Sequence, residues 1–170
     1  MSRSTDLNSP LGRLRIDFCG DGKIRSLTLC AANEPSLSLA SGQKETELLL
    51  AEQQLVDYFQ GRLQTFDLPI DFSDYSPFAV KILQTLQTIP FGTTISYGQL
   101  AALSGHAGAA RAVGRVVGAN RTPLLIPCHR VIGSRGDLVG YSATGGLLTK
   151  RWLLRFEEKS LKKGGKGVKC

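Results

Sequence analysis

In Ile126-Pro127-Cys128-His129-Arg130-Val131 a cysteine and a histidine stand side by side, after a proline and inside an apolar segment. A cysteine sulfur is a good nucleophile only as the thiolate, and a neighbouring imidazole or cation makes the thiolate available near neutral pH. The pair also fits a small buried cysteine beside a structural histidine, because free cysteine is among the most buried residue types. The residues around the pair distinguish these two interpretations.

The charge distribution indicates a polyanionic partner. Residues 1–75 carry 7 basic and 11 acidic side chains, whereas residues 76–158 carry 9 basic and 3 acidic ones. Residues 159–170 add five lysines and no acid, and no carboxylate occurs between Lys81 and Asp137. A positive field confined to one part of a chain is typical of proteins that bind nucleic acid, although a chance asymmetry remains an alternative.

Composition excludes several other classes of protein. The chain has 170 residues, of which 42% are hydrophobic, so it can form a packed core of one or two domains. It has no run of 18 apolar residues and no signal-peptide core, so we expect a soluble, cytoplasmic protein without a membrane partner. The four cysteines have no paired spacing, which argues against disulfides and zinc modules. With two histidines, His106 and His129, we expect no metal site and no cofactor.

The first third of the sequence predicts an α/β domain. Residues 11–18 and 23–29 alternate apolar and polar side chains around a Gly-Asp-Gly turn, which predicts a β-hairpin. Residues 31–43 are predicted as a loop and residues 44–60 as a helix ending at Gly61. Residues 68–72 are predicted as a short edge strand.

Helices dominate the prediction from residue 76 onward. Ser76 and Pro77 are typical of the cap and first position of a helix. A short helix starting at Thr94 or Ser96, a Ser-Gly turn and a second helix over residues 107–118 form a helix-turn-helix pattern. We therefore predict domains over residues 1–75 and 76–158, followed by a disordered basic tail over 159–170, in which Cys170 has no assigned role.

The predicted helix over residues 107–118 contains three glycines and four alanines, and Arg111 and Arg115 share one face. Each glycine inside a helix costs about 1 kcal/mol relative to alanine, so another surface must come close. That surface is either a DNA groove or a tightly packed neighbouring helix. A last helix is predicted over residues 147–159, with Glu157 at the edge of its apolar face, either solvated or buried and paired.

The C-terminal motifs closely resemble the O6-alkylguanine-DNA alkyltransferase family. They are Phe91-Gly92-x-x-Ile95-Ser96-Tyr97, Ala110-Arg111-Ala112-Val113-Gly114, Asn120, Ile126-Pro127-Cys128-His129-Arg130-Val131, Gly145-Gly146-Leu147 and Lys150-x-Trp152-Leu153-Leu154-x-x-Glu157. The match covers about residues 76–158, whereas the N-terminal part matches only loosely. The resemblance implies a ribonuclease-H-like N-terminal domain without catalysis and a compact, all-α, winged-helix-like C-terminal domain.

The resemblance also implies a reaction and its catalytic residues. Members of the family move an alkyl group from O6 of guanine, or O4 of thymine, in duplex DNA to one of their own cysteines. Cys128 is then the irreversible acceptor, His129 the base on its thiol, and Glu157 the hydrogen-bond partner of the imidazole, as in Ser-His-Asp systems. Asn120 is expected to brace the turn beside the cysteine segment.

Further roles are implied on DNA, which the family binds as a monomer in the minor groove. The target base must leave the stack, so Arg111 fills the vacated space while Tyr97 rotates the phosphate and hydrogen-bonds the base. The remaining implied DNA contacts are Ala112, Gly114, Arg115 and, more weakly, Ser134. The implied pocket residues are Tyr97, Pro123, Val131, Tyr141 and Ser142.

The sequence departs from the family pattern at residues 140–146, which are about one residue longer than the common form. Which of Ser142, Ala143 or Thr144 meets the base therefore stays open. Three other functions fit parts of the sequence: a sensor of alkylated DNA without turnover, a cysteine hydrolase and a transcription factor. The basic C-terminal half and Arg111 disfavour a hydrolase, and a transcription factor does not need the cysteine, histidine and glutamate together.

Overall fold

The computed structural model describes residues 3–30 and 46–164 and divides the chain into two compact units. The first unit comprises residues 1–74 together with Arg121–Leu125, and the second comprises Tyr75–Asn120 and Ile126–Cys170. The sequence placed residues 121–125 in the C-terminal domain, but the Leu27 N–H donates to the Arg121 carbonyl at 2.8 Å and ties this segment to the first unit. The loop predicted over residues 31–43 and the residue Cys170 lie outside the described residues.

The first unit is built on a three-stranded antiparallel sheet in the order β1-β2-β3, with β1 over Arg3–Ser9, β2 over Gly12–Phe18 and β3 over Ile24–Leu29. The hairpin of β2 and β3 is confirmed, whereas β1 was missed because its sequence, Arg-Ser-Thr-Asp-Leu-Asn-Ser, lacks apolar alternation. One face of the sheet carries the apolar side chains of the core, with a period of two along β2 and an irregularity in the β2–β3 register between Ile24 and Leu27. They are Leu14, Ile16, Phe18, Ile24, Leu27 and Leu29.

Helix α1, over Thr46–Phe59, belongs to the same unit and buries Ala51, Leu55 and Tyr58. The predicted edge strand at residues 68–72 is reduced to one parallel bridge between Ile24 and Ile70. The proline at position 69 has no N–H to continue the ladder.

The second unit begins with the predicted helices. Helix α2 spans Pro77–Gln87, and its cap Ser76 accepts the Ala79 N–H as expected. Helix α3 spans Tyr97–Leu103 with Ser96 as its cap, and helix α4 spans Ala110–Gly118. The predicted start of the second helix at residue 107 is wrong, because Gly108 has φ +85° and a right-handed helix cannot include that conformation.

Two further elements of the second unit differ from the prediction. Strands β4, over Ile95–Ser96, and β5, over Val131–Ile132, form a short parallel pair in a domain expected to be all-α. Helix α5 spans Gly146–Gly164, so the disordered tail predicted from residue 159 is corrected for residues 159–164. The apolar core of this unit includes Ile82, Leu83, Leu86, Leu100, Val113, Val117, Ile126, Val131 and Leu153.

No helix within residues 3–30 and 46–164 combines the length and the apolar composition that crossing a membrane requires. In the same ranges, no three His, Cys, Asp or Glu side chains cluster in a way that could hold a metal ion.

Candidate active site

Cys128 lies at the start of a single 3-10 turn, Cys128–Arg130, that links the buried segment before it to strand β5. Pro127 has φ −79° and ψ 63°, and the Cys128 N–H donates to the Ile126 carbonyl at 2.8 Å. These values define an inverse γ-turn, which the proline ring favours by fixing φ. Asn120 donates from Nδ2 to the same Ile126 carbonyl at 3.0 Å. The turn that presents the thiol is therefore held by its own backbone and by one buried amide.

The Cys128 thiol is buried, with 4% of the residue exposed. Burial raises its pKa to about 11, because the low-dielectric surroundings disfavour the thiolate. A hydrogen bond from the Asn120 side chain, the positive charge of Lys150 and the backbone N–H groups of Cys128 and His129 act in the opposite direction. The resting thiol is thus protonated, and the surrounding groups are arranged to stabilise its anion.

His129 and Glu157 form a buried pair with no exposed surface. The His129 Nε2 lies 2.7 Å from the Glu157 Oε1. Burial lowers the pKa of His129, and the hydrogen bond and charge of Glu157 only partly offset this effect, so the imidazole is neutral at pH 7. Of the two alternatives for Glu157, solvated or buried and paired, the structure has the second.

Glu157 also accepts two further sets of hydrogen bonds. The Arg130 Nε and Nη2 lie 3.1 Å from Oε2 and 2.9 Å from Oε1, and the Gly92 N–H donates to Oε2 at 2.8 Å. Burial alone would raise the pKa of Glu157, but its bonds with His129 and Arg130 lower it to about 2. The carboxylate therefore stays ionised at any pH near neutrality.

An ionised Glu157 determines the tautomer of His129. A carboxylate can only accept, so the histidine Nε2 carries the proton and Nδ1 holds the lone pair. This Nδ1 is buried and has no hydrogen-bond partner among the described protein atoms. A buried imidazole nitrogen with a free lone pair is suited to act as a proton acceptor.

The turn around Gly92 positions the Glu157 carboxylate from the opposite side. Gly92 has φ +74°, and a Cβ at this position would overlap the Leu161 side chain in the last turns of α5. The positive φ makes any other residue strained, and an added side chain would also displace Leu161, so both observations favour glycine. Because Leu161 packs against the Gly92 turn, this part of α5 supports the active site. The sequence predicted the same segment as a disordered tail.

Lys150 is a buried cation that the sequence did not predict as a site residue. None of its surface is exposed, and its Nζ donates to the carbonyls of Val131, Val139 and Gly140 at 2.6, 2.7 and 3.2 Å. Val131 follows the cysteine turn directly, whereas Val139 and Gly140 belong to the loop before α5. One ammonium group thus joins these two segments.

The loop over residues 139–142 meets Tyr97 at the start of α3. The Tyr97 hydroxyl donates to the Val139 carbonyl at 3.3 Å, and a Cβ on Gly140 would lie 3.2 Å from the same hydroxyl. Burial raises the pKa of Tyr97 and that of Tyr141, and a thiolate at Cys128 raises both further. Both phenols are therefore protonated donors near the sulfur.

The other predicted pocket residues differ in their exposure and in the unit to which they belong. Val131 is fully buried in β5, and Ser142 is exposed. Pro123 is buried within the Arg121–Leu125 segment, which belongs to the first unit, and its place in the pocket stays a prediction. Tyr97, Val131 and Tyr141 belong to the same unit as the cysteine.

Helix α4 presents a basic and small-residue face to solvent. Arg111 and Arg115 are exposed, Ala112 and Gly114 are half-buried, and Val113 and Val117 face the core. A Cβ on Gly114 would lie 3.7 Å from the Tyr97 ring, an ordinary contact, and a Cβ on Gly118 would meet nothing within 4 Å among the described residues. Packing inside the protein therefore does not require these glycines. Ser134 is not on α4 but lies in an exposed turn after β5.

The sequence predicts His129 as the partner of Glu157 but not Arg130 or Gly92, which also bind this carboxylate. It gives no role to Lys150 either. Arg130 next to the Cys-His pair, in a segment otherwise buried, was a usable signal, because a buried arginine requires a carboxylate partner. Lys150 on the apolar side of an amphipathic helix was a second such signal.

The fold and the site together define a two-unit α/β protein whose helical unit contains a buried thiol beside a histidine–glutamate–arginine cluster. Comparison with known proteins extends this description. The family model for the 6-O-methylguanine DNA methyltransferase ribonuclease-like domain matches residues 3–72, and the model for the DNA-binding domain of the same family matches residues 77–159.

Characterised relatives carry related names. The methylated-DNA–protein-cysteine methyltransferase of Salmonella typhimurium is 48% identical over 104 residues, which are 61% of this chain and 60% of that protein. The match thus spans less than two thirds of that relative's length. The constitutive methylated-DNA–protein-cysteine methyltransferase of Bacillus subtilis is 36% identical over 168 residues, covering 95% of this chain and 99% of the relative.

Solved structures have the same fold. A crystal structure of Mycobacterium tuberculosis O6-methylguanine methyltransferase has a TM-score of 0.79 at 34% identity, covering 94% of each chain. A crystal structure of Mycobacterium tuberculosis OGT in complex with DNA has a TM-score of 0.77 at 35% identity, covering 92% of this chain and 93% of that one. The chain belongs to the 6-O-methylguanine DNA methyltransferase family.

Proposed function

We propose that this protein repairs DNA by moving a methyl or larger alkyl group from O6 of guanine, and from O4 of thymine, to Cys128. The observation that carries the proposal is the buried Cys128 beside a neutral His129 whose Nε2 is bound by an ionised Glu157. Family membership, the names of the relatives and the DNA complex of the Mycobacterium tuberculosis structure support the same reaction. The acceptor is the protein itself, so each molecule acts once.

Activation of the thiol requires a base, because burial raises the pKa of Cys128 to about 11. The Nδ1 of His129 accepts the thiol proton, directly or through one water molecule. Glu157 then stabilises the resulting imidazolium, with which it shares the Nε2 proton. Arg130 keeps Glu157 ionised and oriented, which preserves the tautomer that leaves Nδ1 free to accept the proton.

The transfer itself is a displacement at the alkyl carbon. The Cys128 thiolate donates an electron pair to this carbon, a C–S bond forms, and the bond from carbon to O6 breaks. The electron pair of that bond leaves with guanine, whose anion then takes up a proton. The protonated hydroxyls of Tyr97 and Tyr141 are available as donors to the base, because burial and the sulfur both raise their pKa.

Access to the thiol requires the damaged nucleotide to leave the duplex. A thiol with 4% of its residue exposed cannot reach O6 of a paired guanine. We assign the space vacated in the duplex to Arg111, which is exposed in the first turn of α4. Arg115, one turn later on the same face, adds a second cation toward the phosphates.

The outward face of α4 fits the minor groove. The groove is only about 6 Å wide, so small side chains allow the helix backbone to approach. Gly118 lies seven residues after Arg111, on the same face, and a Cβ there would meet open space within the protein. A close DNA surface gives this glycine a physical reason that internal packing does not.

Replacing Gly118 with alanine is expected to change stability and DNA binding in opposite directions. Alanine should stabilise the helix by up to about 1 kcal/mol, because it loses less backbone entropy than glycine on folding. The added methyl should weaken binding to a duplex by about tenfold, through overlap with the groove wall. Urea unfolding and fluorescence anisotropy with a labelled duplex measure the two effects. Unchanged affinity in a variant that is more stable would contradict the placement of α4.

The direct test of the proposed function uses an oligonucleotide with an isotopically labelled methyl group on O6 of one guanine. The label is expected on the peptide that contains Cys128, at no more than one methyl per protein molecule. Binding of the modified duplex without transfer would favour the sensor of alkylated DNA. Repeated release of product would instead favour a hydrolase.

A further inference from the structure

Lys150 is the buried cation of this site that the proposed mechanism leaves without a task. Its residue has no exposed surface, and its Nζ is surrounded by the carbonyl oxygens of Val131, Val139 and Gly140. A lysine is almost never fully buried unless a partner compensates its charge. Among the described residues, Lys150 has no carboxylate partner.

The three carbonyl contacts assign the protonation state of Lys150. An ammonium group has three N–H donors and no acceptor, which matches three carbonyl oxygens one to one. A neutral amine has two donors and would point its lone pair at the third oxygen. Burial lowers the pKa of Lys150, but the three carbonyl acceptors favour the charged form. The site therefore contains a positive charge without a fixed anion.

The Cys128 thiolate that forms in the reaction is the anion that the Lys150 ammonium can stabilise. The ammonium acts on the Cys128 sulfur, whose ionisation it favours. It also binds the carbonyl of Val131, three residues after the cysteine, and the carbonyls of the loop against which the Tyr97 hydroxyl packs. Both the charge of the sulfur and the position of the pocket loop thus depend on one side chain.

We propose that Lys150 is a positioning residue that supplies the fixed countercharge of the Cys128 thiolate while holding the Val139–Gly140 loop against the cysteine segment. The inference rests on the proposed function, in which that thiolate is the nucleophile. His129 removes the proton, and Lys150 stabilises the sulfur anion that remains.

Other charged and titratable groups act on the same centre. Tyr97 and Tyr141 are neutral beside the sulfur, and Asn120 donates to it without charge. Arg130 is neutralised by Glu157, which also binds His129. The positive charge of Lys150 also lowers the pKa of His129. It therefore favours the Cys128 thiolate but makes His129 a weaker base. Lys150 is therefore the one cation near the sulfur, among the described residues, that no carboxylate neutralises.

The experiment measures the reactivity of Cys128 toward methyl iodide at pH 7, without DNA, by mass spectrometry of the Cys128 peptide. The Lys150→Met variant removes the charge and keeps the length of the side chain. It is expected to react about tenfold more slowly, because the fraction of thiolate falls tenfold for each tenfold rise in the proton affinity of the sulfur. Lys150→Arg retains the charge and should recover most of the rate. Arg151→Met, which removes an exposed cation one position along α5, should react at the wild-type rate.

Equal losses in Lys150→Met and Lys150→Arg would assign Lys150 to packing alone and overturn the proposal, as would wild-type reactivity of Lys150→Met. A second measurement needs no change at Lys150 and applies even where those variants fail to fold. By reciprocity, a thiolate must favour the ammonium as much as the ammonium favours the thiolate. The wild-type thiol has a pKa of about 11 and stays protonated while Lys150 titrates, so Cys128→Asp supplies the anion instead. The 15N resonance of the Lys150 Nζ should lose its proton at a higher pH in Cys128→Asp than in the uncharged Cys128→Asn, and identical titrations would overturn the proposal.

These readouts distinguish the inference from the proposed function. Methyl iodide reactivity and the 15N titration involve no nucleic acid, so both can succeed in a protein that fails to remove alkyl groups from DNA. Conversely, label transfer from the oligonucleotide together with wild-type reactivity of Lys150→Met would retain the proposed function and reject the role of Lys150.

Discussion

Replacing Cys128 with serine is expected to abolish transfer of the labelled methyl group while leaving binding to the modified duplex intact. A serine hydroxyl holds its proton far more strongly than a thiol and is a poorer nucleophile, so His129 cannot activate it toward an alkyl carbon. The single-turnover rate should fall by about 10⁴-fold or more, the range seen when a catalytic nucleophile is removed. Rapid-quench assays with the oligonucleotide measure the rate, and fluorescence anisotropy measures the binding.

Cys19→Ser provides the matched control for this variant. Cys19 is also buried, but it lies in the first unit, and its thiol contacts Asp71 at 3.0 Å, a contact that a serine hydroxyl can retain. This protein should transfer the label at the wild-type rate. Residual transfer in Cys128→Ser, with the label on another cysteine, would refute Cys128 as the acceptor.

Replacing Glu157 with glutamine is expected to damage both catalysis and stability. Glutamine has nearly the same shape but no charge, so the buried Arg130 loses its ionic partner and the His129 tautomer is no longer determined. Breaking a buried ion pair by removing one partner costs about 3–5 kcal/mol. Loss of the correct tautomer should lower the single-turnover rate by about 10²-fold to 10⁴-fold. Urea unfolding and rapid-quench kinetics measure the two effects.

Glu158→Gln is the control that separates a specific loss from a general change in charge. Glu158 is the next residue of α5, is exposed and pairs with Lys162 at 2.5 Å. Exposed ion pairs contribute about 0–1 kcal/mol, so this variant should be nearly as stable and as active as the wild-type protein. Comparable losses in the two variants would show that Glu157 has no special role.

Acid should destabilise the wild-type protein through the same cluster. The pKa of Glu157 is about 2 in the folded state against an ordinary value of 4.5, so its contribution is complete above pH 4.5 and is lost as the pH falls toward 2. The pKa of buried His129 is also lowered, so the unfolded chain binds a proton below pH 6.5 that the folded chain does not. Both effects reduce stability as the pH falls. In Glu157→Gln, the loss between pH 4.5 and 2 should be smaller, which urea unfolding across this range would measure.

Local sequence patterns were sufficient to predict several elements of this protein. The hairpin of β2 and β3 followed from apolar alternation around a turn, and the start of α2 followed from Ser76 and Pro77. These features depend on neighbouring residues, so they could be predicted without knowledge of distant contacts. Strand β1 could not be predicted in this way, because its backbone pairing with β2 replaces the apolar pattern it lacks. The last turns of α5 were missed because a lysine-rich composition suggested solvation, whereas Leu161 packs on Gly92.

The sequence alone was sufficient to identify the family and to predict the nucleophile and the basic helix, because those depend on the identity and spacing of residues such as Cys128, His129 and Arg111. Only the tertiary structure decided the protonation states, because a pKa depends on burial and on partners that are distant in the chain. Glu157 lies 28 residues from His129 and 65 from Gly92, yet it binds both and thereby leaves the histidine Nδ1 free to act as a base. The sequence predicted no role for Lys150, whereas the fold buries it among three carbonyl oxygens, where its charge acts on the thiol.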